Sequence, residues 1–434
     1  MSTDTPTLPE RTLRLTNTLT RDVEALRPAQ TDADGHPHLR VYTCGPTVYS
    51  LAHIGNFRTF LTSDLLLRTA RALGWRTTHV SNVTDVGHLT DDDFADAQGQ
   101  DKMAKALERE GTRFANVWDL ARFYTDALLE DWRALNLLEP DVRPRATEHV
   151  REQIQAIEHL IARGHAYETA DGVYFHVPSF PDYGRLSGNT DADALEAGAA
   201  AATRDLVQDE GKRDPRDFAL WKKDPGHLMQ WHSPFAEGPA AGWGFPGWHI
   251  ECSVMAMKYL GETLDVHAGG EDLVFPHHEC EIAQAESLTG QPFARHWMHT
   301  RFLLVEGERM AKSAGNFFTV RDLIAPESEG GRGLDPLALR WALMAAHYRK
   351  PLDFTEQGLK TAQKHVRKLR LAYEQALPLA EARDNGQERD GDRALAEALD
   401  AAYADALAGL CDDLNTPRAL AAVLAGVGRI HEHD

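Results

Sequence analysis

Hydrophobic and polar positions recur in an order that predicts an α/β domain. Alternating runs at residues 38–42, 77–85 and 264–270 predict strands. Apolar residues recur at helical spacing over 58–73, 102–135 and 148–163. Strands that alternate with helices are typical of a parallel sheet. We therefore expect ligands to bind in a crevice at the carboxyl ends of these strands.

Other stretches carry different patterns. Residues 1–13 are polar and rich in Pro and Thr, which predicts a disordered leader. Residues 15–26 alternate and then turn acidic, which predicts a strand and a short helix, and 167–218 read as short strands and turns of an insertion. Pro276 is suited to the first position of a helix. Beyond residue 330 the pattern is wholly helical, with helices expected at 335–346, 356–376 and 392–408.

The turn between the first strand and the first helix carries reactive side chains. Cys44 and His53 lie there, beside two glycines. The N-terminus of the following helix offers unpaired N–H groups and partial positive charge to a phosphate. At the end of the next predicted strand, Asn82, Thr84 and Asp85 should face the same crevice. The alternative interpretation is an ordinary turn with a buried cysteine.

Composition narrows the class of protein. The 434 residues suffice for two to four domains, and 42% hydrophobic with 26% charged residues is typical of a soluble globular chain. No apolar run is long enough to span a membrane, which predicts a cytoplasmic protein. The net charge of -20 argues against a surface coated with nucleic acid, yet residues 360–370 form a local basic run.

Four cysteines in a chain of this size favour metal binding or catalysis over a disulfide framework. His277 and Glu281 stand four apart, so a helix would place them on one face. Cys44 and Cys252 each lie at a strand end or a helix start. Two thiolates, an imidazole and a carboxylate make a plausible zinc site. Spacing alone leaves two further candidates open, His278 and Cys280.

With these residues in view, the chain resembles the cysteinyl-tRNA synthetases from about residue 15 to about residue 427. His53-Ile54-Gly55-Asn56 resembles the end of the family's first nucleotide-binding motif, usually His-Ile-Gly-His. Residues 309–313, Arg-Met-Ala-Lys-Ser, resemble the second, usually Lys-Met-Ser-Lys-Ser. Further segments carry the similarity in the same order, at 247–253, 275–281, 347–349 and 412–417.

The resemblance implies one zinc ion per chain, held by Cys44, Cys252, His277 and Glu281. In the family this metal binds the sulfur of the substrate cysteine, which a soft Lewis acid prefers over a serine hydroxyl. No separate editing domain is then needed. The family positions that border the amino acid correspond to Thr84, Trp248, His267 and Asp272.

The implied chemistry has two steps. The cysteine carboxylate attacks the α-phosphate of ATP, supplied with Mg²⁺, and the resulting adenylate is captured by the terminal ribose of cysteine tRNA. The catalytic residues would be His53, Asn56 and Lys312, with Gly307 and Gly315 allowing the Lys312 loop to move. The implied ATP-binding residues are Pro46, His53, Gly55, Asn56, Arg309, Met310, Lys312 and Ser313. Asn56, Arg309 and Ala311 depart from the usual motifs, which leaves His53 and Lys312 as the stronger assignments.

The expected fold is a class I synthetase α/β fold, in which a nucleotide-binding parallel sheet holds an inserted acceptor-end domain and precedes a C-terminal helical region. The expected divisions are a disordered leader (1–13), the catalytic domain in two halves (14–134 and 241–300), the inserted domain (135–240), a stem-contact region (301–355) and a helical tRNA-binding tail that is truncated (356–434). The expected partners are cysteine tRNA, cysteine and ATP, with no membrane, and the expected state is a monomer.

Three other functions compete with this interpretation. A related ligase that joins cysteine to an amino-sugar inositol would share the zinc site and the adenylation chemistry but need no tRNA surface. The basic run at 360–370 and the segments 412–417 and 212–222 resemble the tRNA-binding synthetases instead. A non-catalytic paralogue should lose metal ligands or Lys312, and these are present. A generic zinc-stabilised α/β protein would not be expected to carry all the motifs in order.

Overall fold

A computed structural model describes residues 11–87, 101–189, 211–311, 314–386 and 391–433. The strands are β1 (Arg14–Thr16), β2 (Val23–Ala25), β3 (Gln30–Thr31), β4 (Pro37–Thr43), β5 (Arg76–Ser81), β6 (Ala166–Glu168), β7 (Gly172–Phe175), β8 (Phe218–Lys222), β9 (Trp231–His232), β10 (Trp243–Pro246), β11 (Leu264–Gly270), β12 (Ala294–Thr300), β13 (Leu303–Val305), β14 (Glu308–Arg309) and β15 (Leu352–Phe354). The α-helices are α1 (Ile54–Ala72), α2 (Lys102–Glu110), α3 (Val117–Ala134), α4 (Val150–Ala162), α5 (Trp248–Leu260), α6 (Glu279–Thr289), α7 (Val320–Ile324), α8 (Pro336–Leu343), α9 (Glu356–Asp384), α10 (Asp392–Cys411) and α11 (Thr416–His431).

A parallel sheet forms the centre of the molecule, as the alternating runs predict. β5 pairs with β4, β4 with β11, and β11 with β12, all in parallel, while short β3 pairs antiparallel with the start of β4. Leu39, Val41 and Val266 of this sheet pack against Leu66 and Leu67 of α1 in one buried cluster. Because the strands are parallel, the residues that follow β4, β5, β11 and β12 meet at one edge.

A second, antiparallel sheet is inserted between β5 and β11 of the parallel sheet. Its strand order is β6-β7-β8-β10-β9. It has its own hydrophobic core, which includes Phe175, Phe218 and Trp221, together with Ile157 of α4 and Ile250 of α5. Since α5 follows directly after β10, this sheet leads the chain back into the parallel one.

Several sequence predictions differ from the structure. Residues 15–26 form the antiparallel hairpin β1–β2 instead of a strand and a helix, because Leu15 and Leu26 are buried in one cluster with the sheet; Arg21 lies in the turn with a φ of 66°. Pro276 does not begin an α-helix: α6 starts at Glu279, after an irregular turn over Val274–His278. The expected helix at 102–135 is broken at Gly111, which has a φ of 61°.

The C-terminal part is mainly helical, but the prediction of a wholly helical region is wrong at β15. This strand pairs in parallel with β13, and β13 pairs antiparallel with β14. The tail then consists of α9, α10 and α11, and the buried positions of α10 and α11 include Leu407 and Ala422. Among the described residues, we find no helix of the length and apolarity that a membrane crossing requires.

Candidate functional site

The carboxyl edge of the parallel sheet brings the predicted side chains together. Cys44 directly follows β4, and Gly45 N–H donates to Asn82 Oδ1 at 2.8 Å, which joins this turn to the end of β5. A Cβ on Gly45 would lie 1.7 Å from the Asn82 carbonyl oxygen, so only glycine allows the close approach. The turn after β4 is therefore packed directly against the residues that follow β5.

Four buried side chains from distant parts of the sequence converge beside this turn. Cys44 Sγ lies 3.9 Å from Cys252 Sγ in α5 and 3.6 Å from Glu281 Oε1 in α6. His277 Nε2 lies 3.1 Å from the same Glu281 oxygen. Their potential ligand atoms all lie within 4.8 Å of one another, and none of the four residues is more than 4% exposed. The structure thus brings together the complete predicted ligand set.

A second set of four ligands shares two members with the first. His278 Nε2 lies 3.4 Å from Cys44 Sγ, and His267 Nε2 lies 2.9 Å from Glu281 Oε2. These four side chains also have ligand atoms within 4.8 Å of one another. Cys280 belongs to neither set, because its Sγ lies 3.4 Å from the Tyr183 hydroxyl in the core of the inserted sheet. Cys280 is therefore no longer a candidate metal ligand, whereas His278 remains one.

Burial favours the neutral forms of Cys44, Glu281 and His267. Burial raises the pKa of Cys44 well above its usual value, and the hydrogen bond with Cys252 adds to the effect. Burial likewise raises the pKa of Glu281, although the Cys44 hydrogen bond opposes it. The pKa of His267 falls to about 3 because burial disfavours the imidazolium. A bound divalent cation reverses this balance for thiols and carboxylates, since it favours their charged forms.

An outer layer of aromatic rings orients the imidazoles. Trp248 stacks on His277 with ring centroids 4.2 Å apart, and His249 Nδ1 lies 2.9 Å from His277 Nδ1. His299 Nε2 lies 2.8 Å from His278 Nδ1. Sequence analysis did not single out His249 or His299. Two positions in the sequence could have pointed to them: His299 lies near the carboxyl end of β12, and His249 is next to Trp248.

Two other residues predicted to border the amino acid, Thr84 and Asp272, follow strands β5 and β11 of the parallel sheet. Thr84 Oγ1 accepts a hydrogen bond from Asn82 Nδ2 at 3.1 Å, and Thr84 N–H donates to the Pro46 carbonyl at 3.3 Å. Asp272 is exposed in the turn that follows β11. Asp85 departs from the expectation: its carboxylate accepts from Thr147 N–H and Oγ1 at 3.0 and 2.8 Å, which ties it to the short helix Ala146–His149.

A reciprocal pair of hydrogen bonds caps the start of α1. Asn56 N–H donates to His53 Nδ1 at 3.1 Å, and His53 N–H donates to Asn56 Oδ1 at 3.1 Å. His53 is thus the N-cap of α1, and Asn56 serves as its partner in a capping box. A Cβ on Gly55 would lie 2.9 Å from His53 Nδ1, so glycine leaves room for the imidazole.

The second motif approaches this helix start from the β13–β14 hairpin. A Cβ on Gly55 would lie 3.6 Å from Met310 Cε, and Ile54 N–H donates to the Phe318 carbonyl at 3.0 Å. After the hairpin, Ala311 N–H donates a hydrogen bond to Asn316 Oδ1 at 2.8 Å. Arg309 is exposed, and its guanidinium lies 4.6 Å from the Phe302 ring centroid. Gly307 and Gly315 have φ of 82° and 69°. Lys312 and Ser313 lie outside the described residues.

Known proteins resemble this chain in sequence and in fold. Residues 31–364 match the family model described as tRNA synthetases class I (C) catalytic domain. A cysteine–tRNA ligase from Salinibacter ruber is 57% identical over 98% of this chain and 81% of the relative. One from Thermus thermophilus is 46% identical over 91% of this chain and 76% of the relative. Methionyl-tRNA synthetase from Mycobacterium tuberculosis, in complex with methionyl-adenylate, aligns over 91% of this chain and 83% of its own with a TM-score of 0.63 at 16% identity, which is a likeness of fold.

Proposed function

This chain belongs to the cysteine–tRNA ligase family of class I tRNA synthetases, and we propose that it activates cysteine with ATP and transfers it to the 3′ end of cysteine tRNA. The cysteine carboxylate would displace pyrophosphate from ATP to give cysteinyl-adenylate. A hydroxyl of the terminal tRNA ribose would then attack the acyl carbon and release AMP. Neither step needs a covalent enzyme intermediate, so the protein contributes positioning and charge stabilisation.

The observation that carries this proposal is the convergence of Cys44, Cys252, His277 and Glu281. Two sulfurs, one imidazole nitrogen and one carboxylate oxygen form a donor set that suits zinc better than the oxygen-seeking cations. The fit also rests on burial, because a carboxylate and two thiolates without a cation would be costly in such a dry site. We therefore assign one zinc ion per chain to these four residues.

Zinc, when bound, supplies a thiophilic Lewis acid that accepts the substrate thiolate and so distinguishes cysteine from serine. The surrounding residues would shape the pocket for the rest of the amino acid. Trp248 and His267 flank the ligands, and Thr84 lies at the end of the adjacent strand. We propose that these three residues, with Asp272 at the mouth, border the bound cysteine.

ATP would bind at the start of α1, where the positive end of the helix dipole favours phosphate. His53 caps this helix and would contact the triphosphate, while Asn56 holds His53 in place through the capping box. Pro46, Gly55, Arg309 and Met310 would line the nucleotide site, with Lys312 and Ser313 completing the second motif. We propose that Lys312 neutralises the charge that grows on the departing pyrophosphate, with Mg²⁺ bound to the nucleotide.

We also propose how the parts of the chain divide the work. The inserted domain (135–240) would receive the acceptor end of the tRNA, and the catalytic domain would comprise 14–134 and 241–300. Residues 301–355 would contact the stem and carry the Lys312 loop, and the tail from 356 would bind the tRNA farther from the acceptor end. We expect a monomer that acts in the cytoplasm. The rival function, ligation of cysteine to an amino-sugar inositol, is not favoured by relatives that are named cysteine–tRNA ligases.

The direct test is transfer of labelled cysteine into acid-precipitable tRNA in the presence of ATP. Cysteine tRNA transcript should become labelled, while serine tRNA transcript in a parallel reaction should not. Cysteine-dependent exchange of pyrophosphate into ATP without labelling of the tRNA would show that the protein activates cysteine for an acceptor other than cysteine tRNA. That result would contradict the proposal.

A further inference from the structure

A buried carboxylate in the tail lies at the junction of three parts of the chain. Asp413, which is 4% exposed, follows α10. Its oxygens accept from Thr16 N–H at 2.8 Å, from Thr16 Oγ1 at 2.7 Å and from the Tyr348 hydroxyl at 2.6 Å. Arg349 Nε lies 2.7 Å from the same carboxylate. One side chain of the tail therefore contacts both the N-terminal hairpin and the loop before β15.

The backbone at Asp413 and Leu414 adopts an uncommon conformation. Asp413 and Leu414 have φ of 57° and 51°, in the left-handed region that disfavours residues with a Cβ. Leu414 is buried in the cluster that contains Leu15 of β1 and Tyr348. Asp413 N–H also donates to the Arg14 carbonyl at 3.1 Å. The tail turn is thus held against the catalytic part of the chain by polar and apolar contacts together.

The backbone from Thr16 to Thr18, followed by hydrogen bonds, leads to the buried ligand cluster. Two residues beyond Thr16, Thr18 N–H donates to the Trp297 carbonyl in β12 at 2.8 Å, and Thr18 Oγ1 lies 2.7 Å from His299 Nδ1. His299 Nε2 in turn meets His278 Nδ1 at 2.8 Å. His278 Nε2 lies 3.4 Å from Cys44 Sγ. The position of β1 is therefore linked to the packing around the amino-acid site.

A second branch leads from Tyr348 and Arg349 to the helix that carries the first motif. The loop that contains them offers two carbonyls to the buried guanidinium of Arg58, those of His347 at 3.2 Å and Lys350 at 2.7 Å. Arg58 also donates to the Arg301 and Phe302 carbonyls at 2.6 and 2.7 Å. Arg58 lies early in α1, close to the capping box of His53 and Asn56. The same carboxylate is therefore connected to the nucleotide site.

We propose that Asp413 is a positioning residue that couples tRNA engagement of the tail to the cysteine site and the ATP site. The inference rests on the proposed function, since it requires that the tail bind tRNA. Coupling of this kind is reciprocal: the factor by which tRNA changes cysteine affinity equals the factor by which cysteine changes tRNA affinity. A spatial connection becomes a physical mechanism only when removing its central contact removes that coupling factor.

The test measures the dissociation constant of cysteine with and without a bound tRNA that cannot be charged. The probe is cysteine tRNA transcript whose terminal ribose lacks both hydroxyls, and Trp248 and Trp297 beside the ligand cluster provide a fluorescence signal. In the unaltered chain we expect tRNA to change the constant at least about fivefold, the lower end of typical couplings. In Asp413→Asn, which keeps the size but removes the charge opposite Arg349, we expect a change below about twofold.

Two further variants keep the test decisive. Asp405→Asn removes an exposed carboxylate of the same tail, which pairs with Arg418 at 2.6 Å, and should leave the coupling factor as in the unaltered chain. Tyr348→Phe removes one hydrogen bond to Asp413 and should lower the factor even if Asp413→Asn does not fold.

An unchanged factor in both Asp413→Asn and Tyr348→Phe, an equal loss in Asp405→Asn, or no coupling in the unaltered chain would overturn the inference alone. Absence of cysteine-dependent pyrophosphate exchange in the unaltered chain would overturn the proposed function as well.

Discussion

Two regions at the same edge of the sheet are built in opposite ways. The ligand cluster draws Cys44, Cys252, His277 and Glu281 from separate elements and hides them from solvent. The region where we propose that ATP binds consists of the backbone at the start of α1 and an exposed hairpin that ends at Arg309. One region is closed and dense in side chains, and the other is open and depends on helix geometry.

The difference follows from what each region must recognise. Choosing a thiol over a hydroxyl requires fixed soft ligands in a dry pocket, because shape and size alone discriminate weakly. A triphosphate carries enough charge to bind at a helix N-terminus and beside basic side chains that remain solvated. We therefore expect substitutions in the cluster to abolish selection of cysteine, and substitutions at the helix start to slow activation without loss of the metal.

The largest effect should come from Cys252→Ser, which removes one sulfur ligand. Loss of a partner that only orients a ligand already costs about 10- to 100-fold in metal affinity, so loss of a ligand should exceed this. We expect zinc content to fall from one per chain to almost none and cysteine-dependent pyrophosphate exchange to disappear. Metal analysis of the purified protein and the exchange assay measure the two results.

Cys280→Ser is the matched control, because Cys280 is equally buried but contacts Tyr183 outside both ligand sets. It should keep its zinc and most of its activity. Retention of a full zinc content by Cys252→Ser would contradict the assigned ligand set.

A smaller effect is expected from His53→Ala at the start of α1. Loss of one well-placed contact to charge that develops in the reaction costs about 100-fold in rate. Loss of the N-cap should also lower the free energy of unfolding by about 1 kcal/mol. His53→Asn should restore the cap, and thus the stability, but not the rate. If His53→Asn recovers the exchange rate as well, the imidazole acts only as a cap, which would contradict its proposed contact with the triphosphate.

The smallest effect that we expect is a loss of folding stability as the pH falls. Burial, with lesser contributions from Arg143 and Arg71, lowers the pKa of His79 to about 3. Its unfolded value is about 6.5, so the neutral imidazole stabilises the fold above that pH and the contribution is lost as the pH falls from 6.5 towards 3. We expect the free energy of unfolding in urea to fall by up to about 1.4 kcal/mol per pH unit from this residue below its unfolded pKa.

His79→Gln should reduce that dependence by one proton when unfolding is compared at pH 7.5 and pH 5.5. Thr43, which contacts His79 Nε2 at 3.0 Å, directly precedes Cys44, so this test probes the support of the buried region. An identical pH dependence in the variant would show that His79 takes up its proton in the folded state.

The structure brings Cys44, Cys252, His277 and Glu281 together, as the sequence leads us to expect, because each lies near the end of a strand or the start of a helix. Cys44 follows an alternating run. His277 lies before the α-helix that contains Glu281, but the two side chains are still only 3.1 Å apart. Spacing could not choose between His277 and His278, because they precede Glu281 by four and three residues and their Nε2 atoms lie 3.1 and 3.9 Å from Glu281 Oε1. Only the resemblance to a family selects between them.

The misses have physical causes of a different kind. Residues 15–26 carry helix-compatible acidic residues, yet the hairpin forms because Leu13, Leu15 and Leu26 bury together against the sheet. β15 is too short to show an alternating pattern and exists through its pairing with β13. Asp413 has no local signal for its role, since its partners Thr16 and Tyr348 are far away in sequence. Long-range contacts of this type are visible only in the folded chain.

The most direct measurement is X-ray absorption at the zinc edge, before and after addition of cysteine. We expect two sulfur ligands at about 2.3 Å in the protein alone, from Cys44 and Cys252, and three once cysteine is bound. A single sulfur ligand before cysteine would place the metal on the set that contains His267 and His278 instead. An unchanged sulfur count after cysteine would contradict the claim that this buried cluster recognises the substrate thiolate.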